Sequence, residues 1–211
     1  MTVTRFWLIR HALVATQSRL TLYGDADVPI CEETMASQAP AYRQLADILP
    51  RPARWFITPL SRTRRTAEAI FAAGYPAEPT TVLNSMIEQN FGALQGSHNA
   101  TLAERLRYPK HDFWPTSHAE RPESGESFED VMRRVADEMQ RLAAAHAGED
   151  LVIVCHGGPI RAAMAHALGG IGGDAALRFS IGNISLTRLE RRGDAWRLVK
   201  ANETMDGVPA F

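Results

Sequence analysis

An apolar run ends in two basic residues at Phe6-Trp7-Leu8-Ile9-Arg10-His11. A second apolar run, Leu151-Val152-Ile153-Val154-Cys155, is followed directly by His156-Gly157. Both runs have the almost continuous apolar character of strands that are covered on both faces of a parallel sheet. Because ligands bind at the carboxyl ends of such strands, we expect the residues that follow the two runs to meet at one edge of the sheet.

The rest of the chain alternates between strand patterns and helix patterns. Apart from the strands at residues 2–10 and 151–155, the patterns predict strands at 54–58 and 80–87, helices at 36–49, 61–73, 127–147 and 159–168, and a hairpin of 184–189 with 196–200. Ser127 and Asp130 resemble a capping box at the start of the longest helix. The alternation predicts an α/β fold, with a mainly parallel sheet between two layers of helices.

One segment, residues 97–124, breaks this rhythm. It contains three prolines among aromatic and basic residues and is too long for a simple connection within a compact domain. We predict that it forms a small cap insertion over the ligand crevice, in a chain whose residues 1–211 form a single domain. The alternative is a surface excursion with an aromatic cluster of its own.

The composition limits the classes of partner. The chain has 23 Lys and Arg against 24 Asp and Glu, so neither nucleic acid nor an anionic membrane surface is an expected partner. Cys31 and Cys155 are too few for a disulfide scaffold. No apolar run is long enough to cross a bilayer, and the first residues lack the apolar region of a signal peptide. These features predict a cytoplasmic protein; its oligomeric state is open, with a homodimer among the expectations.

Five side chains of the chemistry-bearing segments suit a phosphate, namely Arg10, His11, Arg62, Glu88 and His156. Guanidinium groups match phosphate oxygens with paired donors, and a neutral imidazole is a nucleophile near neutral pH. Each residue alone has an ordinary structural explanation, such as a buried core histidine or a solvated helix charge. No cluster has the spacing of a metal site, and no glycine-rich nucleotide loop is present, so neither a metal nor a cofactor is expected.

The segments that contain these residues resemble a known family. They read Arg10-His11-Ala12, Thr58-Pro59-Leu60-Ser61-Arg62-Thr63-Arg64-Arg65-Thr66-Ala67, Glu88-Gln89-Asn90-Phe91-Gly92-Ala93-Leu94-Gln95-Gly96, Gly125-Glu126-Ser127 and Val154-Cys155-His156-Gly157-Gly158. In this order they resemble the histidine phosphatase superfamily, also called phosphoglycerate mutase-like. A single match of this kind would be weak evidence, but several matches in the family's order are strong evidence.

The resemblance implies the reacting groups. It makes His11 the nucleophile that forms a phosphohistidine, and Glu88 the general acid and base. Asp25 and Asp27 are rival acids close to His11 in sequence, although their surroundings are typical of a turn.

The resemblance also implies the groups that hold the phosphoryl group. Arg10, Arg62 and His156 bind it, and Gly157 lets the backbone approach it closely. Gln17 stands where the family often has a phosphate-binding asparagine, six residues after the nucleophile.

The function that follows is a phosphomonoesterase acting on a small phosphorylated metabolite. One alternative is a phosphoglycerate mutase, which the segment at residues 91–96 favours and the short cap disfavours. Another is a non-catalytic phosphate-binding module on the same fold. Within the phosphatases, residues 23–29 and 125–128 resemble α-ribazole phosphatase.

Overall fold

The computed structural model describes residues 2–208 and contains one six-stranded sheet. The strands stand in the order β3-β2-β4-β1-β5-β6 across it. Their bounds are β1 Val3–Arg10, β2 Arg54–Ile57, β3 Thr80–Val82, β4 Asp150–Cys155, β5 Leu186–Arg192 and β6 Ala195–Glu203. The helices are α1 Glu32–Ser37, α2 Ala39–Ile48, α3 Ser61–Ala72, α4 Phe128–Ala145, α5 Gly157–Ala167 and α6 Gly173–Leu177.

The sheet is mainly parallel, as the alternation of elements predicts. Strand β4 lies between β1 and β2 and is parallel to both, and β2 is parallel to β3. Strand β5 is antiparallel to β1 and to β6, so among the described strands it is the one that runs in the opposite direction. The predicted hairpin of β5 and β6 is confirmed.

Alternating side chains of the central strands face two different cores. In β4, Leu151, Ile153 and Cys155 pack into a core with residues of α4 and α5. Val152 and Val154 pack into a second core with residues of α2 and α3. The sheet is therefore covered by helices on both faces, which confirms the predicted three-layer architecture.

Helix α4 begins at the predicted capping box. The Ser127 hydroxyl accepts a hydrogen bond from the Asp130 backbone N–H at 3.2 Å, and the Asp130 carboxylate accepts one from the Ser127 backbone N–H at 2.8 Å. A cap of this kind typically stabilises a helix by about 1 kcal/mol.

Two predicted elements differ from the structure. The predicted helix at residues 36–49 is two helices, α1 and α2, that meet at Gln38. Pro40 explains the break, because proline has no N–H to donate and its ring clashes with the carbonyl group four residues earlier. The predicted strand at 80–87 ends at Val82, because the chain forms a 3-10 turn over Asn84–Met86. The short helix α6 was not predicted.

The segment predicted to form a cap, residues 97–124, has little regular structure. It contains a 3-10 turn over Leu102–Arg105 and a β-bridge between His98 and Thr21. Leu102 packs in a small apolar cluster with Leu22, Phe91 and Leu94, against which Trp114 also packs. No helix within residues 2–208 is long and apolar enough to cross a membrane.

Candidate active site

His11 directly follows β1 and is held by its backbone. Its N–H donates to the Cys155 carbonyl group at 3.0 Å, and its carbonyl group accepts from the Asn183 amide at 2.8 Å. The ring Nδ1 lies 2.7 Å from the Ala12 carbonyl oxygen. Because a carbonyl oxygen can only accept, Nδ1 carries the proton of the neutral ring. Nε2 therefore keeps a free lone pair, as a nucleophile requires.

The surroundings of His11 keep the imidazole neutral. Burial lowers the pKa of His11 well below its usual value, and the cations Arg62 and Arg10 lower it further. The pKa of His156 is also well below its usual value, again mainly because of burial, with contributions from His11, Arg62, Arg10 and Arg134. Each of these effects disfavours a positive charge on the ring.

His156 directly follows β4, and its ring centroid is 5.1 Å from that of His11. Its Nδ1 accepts a hydrogen bond from Arg62 Nε at 3.3 Å, and its Nε2 lies 2.8 Å from the Thr58 hydroxyl. Both ring nitrogens thus have protein partners. The carboxyl ends of β1 and β4 place the two histidines side by side, as the two apolar runs predict.

Arg62 lies in the first turn of α3 and is fully buried. Besides His156, its guanidinium group contacts the Ala26 carbonyl oxygen at 2.7 Å and the Gly24 carbonyl oxygen at 2.8 Å. A guanidinium group has five N–H donors, so two remain for a ligand. The loop that provides these carbonyl groups also caps α3, since the Asp27 carboxylate accepts from the Ser61 backbone N–H at 2.8 Å.

Arg10 ends β1 and is incompletely paired. Its Nη1 donates to the Ile181 carbonyl group at 2.6 Å. Its Nε is buried and has no hydrogen-bond partner among the described residues. A buried donor without a partner is costly, and an anionic ligand would remove that cost.

Glu88 is 8% exposed and approaches the start of α5. Its carboxylate oxygens lie 3.2 and 3.3 Å from the Gly158 backbone nitrogen, which donates to them. A Cβ atom on Gly158 would lie 2.3 Å from Glu88 Oε1, so any larger residue there would force this carboxylate to move. The glycine after His156-Gly157 thus admits the acidic side chain.

A cavity of about 260 Å³ opens beside these groups. Arg10 and Glu88 line it, together with Trp114 and Pro115 of the segment at residues 97–124. The remaining lining residues are Arg19, Thr21, Leu22, Tyr23, Gly24, Phe91 and Asn99. His11, Arg62 and His156 are at most 1% exposed and do not line the cavity, so they form a buried cluster next to it.

The site therefore joins two adjacent histidines, two arginines and a carboxylate at the carboxyl edge of a parallel sheet. A model of the histidine phosphatase superfamily (branch 1) matches residues 6–204. The chain belongs to the histidine phosphatase superfamily. The predictions of this family and of an enzyme of the histidine phosphatase class are confirmed.

Individual histidine phosphatases with different names are similar to this chain. A metal-independent phosphoserine phosphatase of Arabidopsis thaliana is 28% identical over 161 residues, which cover 76% of this chain and 67% of that protein. A 2,3-bisphosphoglycerate-dependent phosphoglycerate mutase of Methylobacterium sp. is 28% identical over 74% of this chain and 76% of its own length. The crystal structure of the α-ribazole phosphatase from Shigella flexneri has the same fold, with a TM-score of 0.78 at 20% identity over 98% of this chain and 100% of that chain.

One predicted residue of this histidine phosphatase lies apart from the others. Gln17 is exposed, stands at the start of a 3-10 turn, and is not in the cavity lining, where Arg19 is found instead. The rival acid Asp27 caps α3 with its carboxylate. Within residues 2–208, no group of three or more His, Cys, Asp or Glu side chains is arranged to hold a metal ion.

Sequence reasoning missed three residues that contact this constellation. Arg161 lies beside Arg10, since a Cβ atom on Gly157 would be 2.9 Å from Arg161 Nη1 and 3.6 Å from Arg10 Nε. Its spacing of four residues from Gly157 on a helix is a signal that could have indicated it. Asn183 lies in the loop between α6 and β5, which contains no motif, so no local signal exists for its bond to His11. Gln89 lies within the family segment at residues 88–96 but has no separate signal of its own.

Proposed function

We propose that this protein is a phosphomonoesterase that hydrolyses a small phosphorylated metabolite through a phosphohistidine on His11. The observation that carries the proposal is the state of the His11 ring. The contact of its Nδ1 with the Ala12 carbonyl group and its lowered pKa leave Nε2 neutral and nucleophilic. The adjacent Arg10 has a buried N–H that is free to bind an anion.

The reaction divides into two balanced steps. In the first, the His11 Nε2 lone pair forms a bond to phosphorus while the bond to the leaving oxygen breaks, and protonated Glu88 gives that oxygen its proton. In the second, the Glu88 carboxylate takes a proton from water as the water oxygen attacks phosphorus. The P–N bond then breaks, and phosphate and neutral His11 are released. Arg10 and Arg62 stabilise the charge on the equatorial oxygens, and His156 orients Arg62 by accepting a hydrogen bond from its Nε.

A phosphoglycerate mutase is the second candidate, because this chain matches a relative of that name over 76% of the relative's length. A mutase must protect its phosphorylated intermediate from water. The irregular segment at residues 97–124 contributes three residues to the cavity lining, Asn99, Trp114 and Pro115, and so shields the cavity from water only in part. We therefore favour a phosphatase, which transfers the phosphoryl group to water, over a mutase, which returns it to the substrate. The substrate is a small phosphomonoester; phosphoserine, phosphoglycerates and α-ribazole phosphate are the first compounds to test.

The experiment is a rapid quench of enzyme and phosphomonoester, followed by mapping of protein-bound phosphate. We expect an acid-labile, base-stable phosphate on His11, and loss of all turnover in His11→Ala. His146→Asn is the matched control, because His146 lies beside the opposite edge of the sheet. A label on another residue, or turnover in His11→Ala, would overturn the proposal. With 3-phosphoglycerate, a phosphatase releases free phosphate, whereas a mutase forms the isomeric phosphoglycerate. If no tested ester gives either product, the protein is a non-catalytic binding module.

A further inference from the structure

The side chain of Gln89, the residue after Glu88, is fully buried and bonded at both ends. Its amide nitrogen donates to the Glu126 carbonyl group at 2.9 Å, and its amide oxygen accepts from the Trp114 indole N–H at 3.0 Å. The chemistry fixes this orientation of the amide, since the indole N–H can only donate and the carbonyl group can only accept. Gln89 thus connects the segment at 97–124 to the start of α4.

Trp114 is fixed in turn from its other side. The Arg161 guanidinium lies 4.9 Å from the centroid of the indole ring, and Arg161 Nε donates to the Phe179 carbonyl group at 2.8 Å. Arg161 is 7% exposed, so the contact between its cation and the aromatic ring is largely desolvated, which strengthens it. Trp114 also lines the cavity with Arg10 and Glu88. The Trp114 indole therefore lines the cavity and also donates a hydrogen bond to Gln89, the residue after Glu88.

Glu88 is held through both its side chain and its backbone, since its carbonyl oxygen accepts from Arg134 Nη2 at 3.4 Å. Its carboxylate accepts from the backbone N–H groups of Gly158 and Gln89. The direction of the carboxyl group therefore depends on where the backbone at residues 88 and 89 lies relative to Gly158. The Gln89 side chain is a strong constraint on that position, because both ends of its amide are held by other elements.

We propose that Gln89 and Trp114 are positioning residues that aim the Glu88 carboxyl group at the leaving oxygen of the substrate. This inference rests on the proposed function, in which Glu88 is the acid. Loss of the indole N–H or of the amide leaves the Glu88 side chain unchanged, but its carboxyl group is then no longer held in one orientation. A displacement of about 1 Å in a reacting group can cost about 100-fold in rate. The effect falls on the step that needs the proton.

The test compares two leaving groups in single-turnover release of alcohol or phenol. An alkyl phosphate needs the proton from Glu88, whereas p-nitrophenyl phosphate has a stable leaving group and needs it less. We expect Trp114→Phe and Gln89→Leu to slow release from the alkyl ester by about 10-fold to 100-fold, and release from the aryl ester much less. Trp114→Phe keeps an aromatic ring at the site but removes the N–H and part of the indole ring, whereas Gln89→Leu breaks the same hydrogen bond without changing the cavity wall.

Trp196→Phe is the matched control, because the Trp196 indole N–H is buried without a partner among the described residues. It should leave both rates unchanged. The double variant Glu88→Gln/Trp114→Phe should be no slower than Glu88→Gln, since Trp114 acts through Glu88. Equal losses for both esters in Trp114→Phe and Gln89→Leu, no loss, or an additive double variant would overturn the inference.

Glu88→Gln measured alone separates this inference from the proposed function. If Glu88→Gln slows the two esters equally, Glu88 is not the acid and the proposed mechanism fails. If Glu88→Gln selectively slows the alkyl ester and the two positioning variants do not, the mechanism stands and the inference fails.

Discussion

At the scale of single residues, the Arg10 guanidinium group has one nitrogen that is hydrogen-bonded to the protein and one that has no partner among the described residues. Nη1 is held by the Ile181 carbonyl group, which fixes the direction of the guanidinium plane, and the buried Nε is left without a partner within residues 2–208. A lysine would keep the charge but lose this planar arrangement of donors. The geometry, and not the charge alone, is therefore what Arg10 contributes.

We predict that Arg10→Lys lowers kcat/KM for phosphomonoesters by about 10-fold to 100-fold, the usual value of a hydrogen bond to a charged group. Arg64→Lys, on the exposed face of α3, is the control and should have no effect. Steady-state kinetics provide the measurement. Full activity in Arg10→Lys would mean that the phosphoryl group does not use the guanidinium fork.

Gly158 gives a second prediction at this scale. In Gly158→Ala the new methyl group would meet Glu88 Oε1 at 2.3 Å, so the carboxyl group must move. We expect turnover of an alkyl phosphate to fall by about 10²-fold or more, the value of a placed acid. Gly172→Ala is the control, because a Cβ atom there meets nothing within 4 Å. Normal turnover in Gly158→Ala would show that the observed position of Glu88 is not the active one.

At the scale of elements, the loop before α1 and helix α3 depend on each other. Asp27 caps α3 through the Ser61 N–H and hydroxyl, and Arg62 of that helix holds the carbonyl groups of Gly24 and Ala26. The loop thus supplies the cap that the helix's own N-cap residue, Leu60, cannot supply. The same contacts set the direction of Arg62.

We predict that Asp27→Ala lowers the free energy of unfolding by about 1 kcal/mol, as loss of a helix cap usually does. Asp25→Ala changes the same loop, and we expect its free energy of unfolding to stay within about 0.5 kcal/mol of the parent value. Urea denaturation gives both values. If Asp27→Ala left stability intact and instead slowed esters with poor leaving groups selectively, Asp27 would replace Glu88 as the acid.

The sequence predicts the elements better than the contacts between them. The apolar runs of β1 and β4 and the capping box of α4 are local signals, so those elements are confirmed close to their predicted bounds. The bonds of Asn183 to His11 and of Ile181 to Arg10 depend on β5 pairing with β1, and no local pattern encodes that pairing. The break at Gln38 could have been predicted, because Pro40 was visible within the expected helix.

At the scale of the whole molecule, the buried histidines connect the site to stability. His11 and His156 have lowered pKa values because the fold buries them next to each other and to arginines. Below the usual histidine pKa of about 6.5, the unfolded chain binds protons at these positions that the folded chain does not. Stability therefore falls as pH decreases through that value, and the contribution is complete above it.

We predict that each of the two histidines contributes a slope of about 1.4 kcal/mol per pH unit to the free energy of unfolding, from just below pH 6.5 down to its lowered pKa. Urea denaturation of the parent and of His11→Asn between pH 7.5 and about 5 tests this. The slope should be smaller in His11→Asn by the contribution of one histidine, since burial is the main cause of the low His156 pKa. Equal slopes in the two proteins would contradict the prediction.

The central place of β1 has a consequence for synthesis of the chain. β1 leaves the ribosome before the other strands of this sheet, yet its two neighbours, β4 and β5, begin only at Asp150 and Leu186. A fragment that stops before Asp150 leaves both edges of this apolar strand without partners, which exposes it to association with other chains. The surroundings of His11 are therefore assembled late, after most of residues 2–208 have already been made.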